Sequence, residues 1–307
     1  MRDVVVIGGG LSGLAAAYEL EKRGVPYTLI EVKNRVGGSI ESVESNGFIF
    51  DSAAMCHTVD DPAFFEAYLA ELGLKDAVFI NDDGLLVFHR GTQVLIDALK
   101  AKITAPIMFR MAVSTLGMLD AERFAICMEN GLLLDAKALI VAAPARYAER
   151  MFCTLVPEIA FRLLDYRYDS IVRISLGYLN TDTLPLEYGH DTPIVDLRVA
   201  RRLPQNSLTV QAALRIEEAE QPFDVVGELA ALMGWHLNPA ADHIARWAES
   251  DPMMWRQSGH VENMRTIQAL LPMGVALIGS DYIPTDRPPR LDERIRQGIE
   301  AAQALVI

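Results

Sequence analysis

An apolar run at the start of the chain, Val4 to Ile7, leads into a glycine turn and then a long helix-forming stretch. Four successive branched apolar residues predict a strand buried on both faces, since a half-exposed strand would alternate. Gly8, Gly10 and Gly13 follow in Gly-x-Gly-x-x-Gly spacing. At that spacing the first glycine permits a tight turn and the second lets a pyrophosphate approach the backbone without meeting a Cβ. The third lets the following helix lie close to the strand. The helix, expected from about Leu11 to Arg23, begins with Leu11 and Ser12 and turns its unpaired amides and positive dipole end toward the phosphates. Gly24 suits its C-terminal cap. Tyr27 to Val32 is expected as a second strand, and Glu31, eighteen residues past Gly13, is placed to accept hydrogen bonds from an adenosine ribose. Nicotinamide and flavin dinucleotides present the same pyrophosphate and ribose to such a turn, so the motif alone does not separate them.

At 307 residues the chain can bury a sizeable core and hold two domains. Its net charge of −13 argues against a nucleic-acid partner. Cys56, Cys127 and Cys153 are too few and too scattered for a disulfide framework or a metal site, so a reduced, cytoplasmic protein without metal is expected. With the first strand at the N-terminus of the sequence, no cleaved leader is expected. No stretch approaches the ~20 uncharged residues that span a bilayer. Leu132 to Ala145 comes nearest, and Asp135, Lys137 and Pro144 interrupt it.

Beyond Glu31 the chain continues through Val32, Arg35, Gly37, Gly38 and Ser39, and then Gly47 to Asp51 resumes a strand. Met111 to Leu116 carries a V-x-x-L stretch beginning at Val113. Strand, Asn130-Gly131 turn and strand follow, and a buried apolar strand runs to Ala143-Pro144. Gly279 and Asp281 end a late strand ahead of a helix from about Leu291 to Leu305, whose Ile295 and Ile299 fall at helical spacing. In these segments the chain resembles the flavin amine oxidase superfamily, in its protoporphyrinogen oxidase and phytoene desaturase-like branch.

The resemblance implies an α/β fold: a Rossmann-like FAD domain with a parallel central sheet and a β-hairpin insertion, plus a smaller α+β substrate domain with a mixed or antiparallel sheet. It implies FAD as cofactor, met by Gly8, Gly10, Leu11, Ser12, Gly13, Glu31, Val32, Arg35, Gly37, Gly38, Ser39, Val113, Ala143, Gly279, Asp281 and Ile295. It places residues 1–57, 88–150 and 256–307 in the FAD domain, and 58–87 and 151–255 in the substrate domain. Relatives carry well over a hundred residues, much of a helical lid, where this chain has only Lys75 to Arg90. In the substrate domain, Ile171 to Leu176 reads as a half-exposed strand and Asp224 to Leu237 as a helix.

Cys56 and His57 stand where relatives bring the chain past the flavin, so both are candidates for a catalytic role. A small buried hydrophobe and a locally hydrogen-bonded loop residue are the competing readings. Tyr168, Tyr178, Tyr188 and Trp255 are candidates for a substrate pocket or for core. The function implied is an FAD-dependent oxidoreductase that removes hydride from a small or flat organic substrate and passes electrons to oxygen or another acceptor. A flavin-binding subunit without turnover and a nicotinamide-dependent dehydrogenase are the rivals. A homodimer or a partner chain supplying the lid stays open.

Overall fold

The structure is a computed structural model describing residues 2–168, 170–181, 184, 187, 192–202, 204–215, 224–235, 238–247 and 258–305. The expected strand, turn and helix at the start are β1 (Arg2–Ile7) and α1 (Leu11–Lys22), followed by β2 (Tyr27–Glu31). Hairpin β3 (Ser42–Ser45) and β4 (Phe48–Asp51) comes next, then β5 (Cys56–His57), α2 (Pro62–Glu71), β6 (Val78–Ile80), β7 (Leu86–Phe88) and α3 (Gln93–Lys102). After β8 (Ile107–Phe109), the strands β9 (Val113–Asp120), β10 (Arg123–Met128) and β11 (Leu133–Val141) form a meander.

Helices α4 (Ala145–Leu155) and α5 (Pro157–Leu164) lead into a second strand set, β12 (Ile171–Leu179), β13 (Ile194–Ala200) and β14 (Ser207–Arg215). The chain closes with α6 (Val225–Met233), β15 (Ala241–Trp247), α7 (His260–Leu270), β16 (Val275–Leu277) and α8 (Leu291–Ala304).

The main sheet runs β8-β2-β1-β11-β10-β9. Its β8, β2, β1 and β11 are parallel neighbours, whereas β10 and β9 return antiparallel. One edge of β11 pairs β10 along its first half and β16, in parallel, along its last three residues. Val4 and Val6 enter a core with α1, α3 and α8, while Val5 and Ile7 enter a core with α4, α5 and α7 on the other face. The continuous apolar run therefore reflects helices on both sides. The segment from Phe65 to Leu72 also joins the α1 core, and Ile159 to Leu163 joins the α4 core. Packing thus groups α2 and α5 with the main sheet.

The second sheet, β13-β14-β12-β15, is antiparallel throughout. Val172, Ile174, Leu176 and Tyr178 pack with α6 and Trp235. The alternate residues of β12 were expected at a half-exposed face, and that expectation is corrected: Arg173 is 1% exposed and Ser175 is equally buried. They are polar because their face meets the other unit. A Cβ at Gly177 would come 2.4 Å from the Phe48 ring, which sets the closeness of that contact. The helix expected over Asp224 to Leu237 ends at Met233 and is capped by Gly234 in the left-handed region, with residues 236 and 237 outside the described ones.

Across this seam the Arg202 guanidinium lies 2.6 Å from the Asp51 carboxylate, and both side chains are almost wholly buried. Arg202 also donates to the Met55 carbonyl. The Gln211 amide donates to the carbonyls of Asp51 and Ala53 and accepts from the Met55 amide. These bonds tie β14 to the strand that runs from the hairpin toward β5. Among the described residues no helix is long and apolar enough to cross a membrane, and no cluster of three metal-ligating side chains occurs.

Candidate functional site

The parallel strands β1, β2, β11 and β16 end together, and a cavity of about 550 Å³ opens at those carboxyl ends. This is where an open α/β sheet places its ligands. The first wall is the glycine turn itself. Gly8 holds φ +104°, and a Cβ there would lie 2.6 Å from the Ala142 carbonyl oxygen. At Gly13 a Cβ would lie 2.0 Å from the Gly8 carbonyl oxygen, so both glycines are required by the protein's own packing. Gly10 is different. Its backbone is ordinary extended chain, φ −72° and ψ 179°, and a Cβ there would meet no protein atom within 4 Å. Neither conformation nor packing calls for glycine at that position, yet it lines the cavity. The space it keeps open fits a group laid against the backbone.

Helices α1 and α8 run in parallel; α1 starts at this cavity, and α8 lines it with Arg294. A Cβ at Gly298 would come 2.4 Å from the Ser12 carbonyl oxygen near the start of α1. At the far end, Arg23 donates to the Ala302 carbonyl and Gln303 to Glu19. The positive dipole end of α1 therefore faces this space.

The second wall is the end of β2. The Glu31 carboxylate accepts the Gly9 amide at 2.7 Å and the Lys33 amide at 2.8 Å. These bonds fix its orientation, and a carboxylate with about four acceptor sites has capacity for a ribose diol besides them.

Of the residues expected at the cofactor, Gly8, Gly10, Leu11, Ser12, Gly13, Glu31, Val32, Gly38, Ser39, Val113, Ala143, Gly279 and Asp281 line the cavity. Arg35, Gly37 and Ile295 do not. Arg35 donates to the carbonyls of Val36, Gly38 and Ile40 and pairs with Glu41, folding its own loop. Gly37 donates its amide to Gly9 at 2.7 Å, bracing the wall from behind, and Ile295 is fully buried under α1.

The Asp281 carboxylate accepts from Tyr168 at 2.6 Å, Tyr166 at 3.2 Å and the first amide of α4 at 2.9 Å. Burial, then Asp281, raises Tyr168 far above the ordinary phenol range, so it stays a donor. Tyr178 belongs to the second core, while Tyr188 and Trp255 lie outside the described residues.

Sequence reasoning missed several lining residues. Tyr147, Arg150 and Met151 follow Pro144 at spacings of three and four, one face of α4, which a helical reading of that segment would have found. Arg294 gave no such signal, because an arginine on an amphipathic helix reads as solvated surface.

Cys56 and His57 are not part of the cavity lining. They sit on the small sheet β5-β7-β6, each 6% exposed. His57 shares a 2.9 Å hydrogen bond with Thr92 and packs edge-on against Phe88. Burial pushes the Cys56 thiol up to about 12, which leaves it protonated and unreactive. In native protein a disulfide reagent is expected to modify exposed Cys153 first, then half-buried Cys127, and Cys56 only after unfolding. Fast labelling of Cys56 in the folded state would contradict this placement.

Burial likewise holds the His57 imidazole down, to about 3, so the folded ring stays neutral where a general acid or base would need to titrate. In the unfolded chain the ring protonates near its ordinary ~6.5. Below that pH unfolding takes up a proton, so the stability that neutral His57 supports is complete above about pH 6.5 and lost as pH falls toward 3. Relative to His57→Gln, the native protein should lose on the order of 2 kcal/mol between about pH 7 and 4.5 in urea unfolding. Parallel pH profiles for the two proteins would refute a buried neutral imidazole.

With the geometry in place, comparison adds relatives. A family model described as an NAD(P)-binding Rossmann-like domain matches residues 6–72. Protoporphyrinogen oxidase 2 of Arabidopsis thaliana is 45% identical over 75 residues, 24% of this chain and 15% of that protein. The mitochondrial protoporphyrinogen oxidase of Nicotiana tabacum is 36% identical over 99 residues, 31% of this chain and 19% of that protein. The matched segments are thus a small fraction of those relatives' length. Among solved structures, a putative protoporphyrinogen oxidase from Exiguobacterium superposes with a TM-score of 0.79 at 13% identity, covering 98% of each chain. A redesigned putrescine oxidase gives 0.78 at 14%, again over 98% of each chain. The chain has the flavin amine oxidase fold. The family model spans the glycine turn and Glu31, and over the whole chain the likeness is one of fold.

Proposed function

We propose that the chain binds FAD in the cavity at the ends of β1, β2, β11 and β16, and is an FAD-dependent oxidoreductase acting on a small or flat organic molecule, an amine or a CH–CH donor. The observation that carries this reading is Gly10: a cavity-lining position at which glycine serves neither backbone nor packing. The α1 start favours a diphosphate at the turn, and Glu31 favours a ribose on the β2 side. Gly279, Ser280 and Tyr282, on the opposite side of β1, leave the flavin ring the part of the cavity toward α8.

When bound, FAD supplies the two-electron acceptor, taking hydride at ring N5. The chain's own residues orient and shield it. Leu11 to Gly13 offer amides to the diphosphate, Glu31 holds the ribose end, and Tyr282, donating to the Ala143 carbonyl at 2.6 Å, fixes the wall beside the Gly279 turn. Tyr166 and Tyr168, through Asp281, clamp α4 to that turn and fix the cavity mouth. Neither Cys56 nor His57 enters this scheme as a proton carrier.

The test is anaerobic reduction of the FAD-loaded protein by primary and secondary amines, porphyrinogens and NAD(P)H in turn. Bleaching of the flavin by an organic donor supports the oxidoreductase. If FAD binds but no donor reduces it, the reading as a flavin-binding subunit without turnover takes its place.

A further inference from the structure

Six charged residues line the cavity, and only one of the three cations is buried. Lys33 and Arg150 are exposed at the rim, whereas Arg294 is 8% exposed. Its position along the dinucleotide follows from the helix that carries it. Gly298 packs on Ser12 at the start of α1, the diphosphate end of the proposed site. Arg294 lies one turn before Gly298 on the same face of α8, about 6 Å farther toward the N-terminus. Helical side chains lean toward the N-terminus, which carries the guanidinium farther from the α1 start.

The lateral direction agrees. Glu31 ends β2 on one side of β1, whereas the Gly279 turn follows β16 on the other. Gln297, also on α8, accepts the Gly279 amide at 2.8 Å, so this helix borders the Gly279 side. Arg294 therefore stands away from both the ribose and the diphosphate positions. It also acts electrostatically on His57, in the segment between the two sheets.

We infer that Arg294 is an electrostatic tuning residue, a fixed cation at the N1–C2=O end of the flavin ring that stabilises negative charge there when the ring accepts an electron pair. The inference rests on the FAD reading above. A guanidinium cannot lose its charge in the working pH range, so it favours the charged ring throughout. Being buried, it acts in a setting where water does not screen it well.

Sulfite probes this directly. Its lone pair forms an N5–S bond and the displaced ring electron pair becomes negative charge at N1–C2=O, with no further oxidant or reductant. Arg294→Gln should weaken sulfite affinity of the FAD-loaded protein by about tenfold or more, while Arg294→Lys, which keeps the cation, stays within about threefold. ADP, which lacks the ring, should bind native protein and both variants alike, which also shows that the variants fold. Equal sulfite affinity in native protein and Arg294→Gln would overturn the inference and leave FAD binding intact. A fall in ADP affinity with sulfite affinity unchanged would make Arg294 a diphosphate counter-ion instead and also overturn it. Binding of ADP without uptake of FAD by the native protein would defeat the FAD reading itself, and this inference with it.

Discussion

Asp51→Ala is expected to destabilise the protein by about 3–5 kcal/mol, because it leaves the Arg202 guanidinium buried without its counter-ion. Few single substitutions reach that size. The Asp51 carboxylate also accepts the Ser42 hydroxyl at 2.6 Å and the Thr92 amide at 2.8 Å, so its loss strands donors on the hairpin and at the start of α3 as well. The carbonyls of Ile49 and Met55 remain near Arg202, but they offset only part of a full charge. Replacing both partners, Asp51→Leu with Arg202→Met, should cost less than Asp51→Ala alone, since a buried ion pair is a weak stabiliser once its desolvation is counted. Urea unfolding of the three proteins decides it. A loss below about 1 kcal/mol for Asp51→Ala would mean that the seam is not held as described.

Two glycines of the first turn, Gly10 and Gly13, should separate folding from binding. Gly13→Ala places a methyl 2.0 Å from the Gly8 carbonyl oxygen, an overpacking expected to cost about 1–3 kcal/mol. Gly10→Val places its Cβ where no protein atom lies within 4 Å, on backbone that any residue adopts. Its stability should change by about 0.5 kcal/mol or less, as for an exposed surface position. Binding is another matter. If a diphosphate lies against that backbone, the same overpacking cost of about 1–3 kcal/mol falls on the ligand and weakens it by about 10- to 100-fold. Thermal melts paired with dinucleotide titrations check both halves. Full affinity in Gly10→Val would remove the main support for the site.

Much of the site was legible because its residues do local work that spacing reveals. The glycine turn, Glu31 and the late Gly279 to Asp281 turn each follow a strand at a fixed offset, and all line the cavity. Arg35 and Gly37 share the same local signature, yet they work one layer behind, and spacing cannot tell a wall from its brace. The burial of Arg173 and Ser175 was hidden for a related reason. Alternation reports polarity on one face of β12, and a polar face looks the same whether it meets water or, as here, Gln211 of the neighbouring strand, which in turn holds the Asp51 carbonyl across the seam. Cys56 and His57 were placed by correspondence along the chain, while their neighbours Val87 and Thr92 come from segments thirty or more residues away. Arg294 was hidden because its environment is supplied by α1 and the Gly279 turn, both far from it in sequence.

The central claim is that the cavity at the ends of β1, β2, β11 and β16 is an FAD site built around Gly10. Its most direct test is titration of the purified native chain with FAD, followed by the visible flavin spectrum of the protein fraction after free ligand is removed, alongside Gly10→Val. The account predicts one flavin retained per native chain and almost none on the folded variant. A native chain that stays colourless after FAD, while binding NAD(H) tightly, would contradict it.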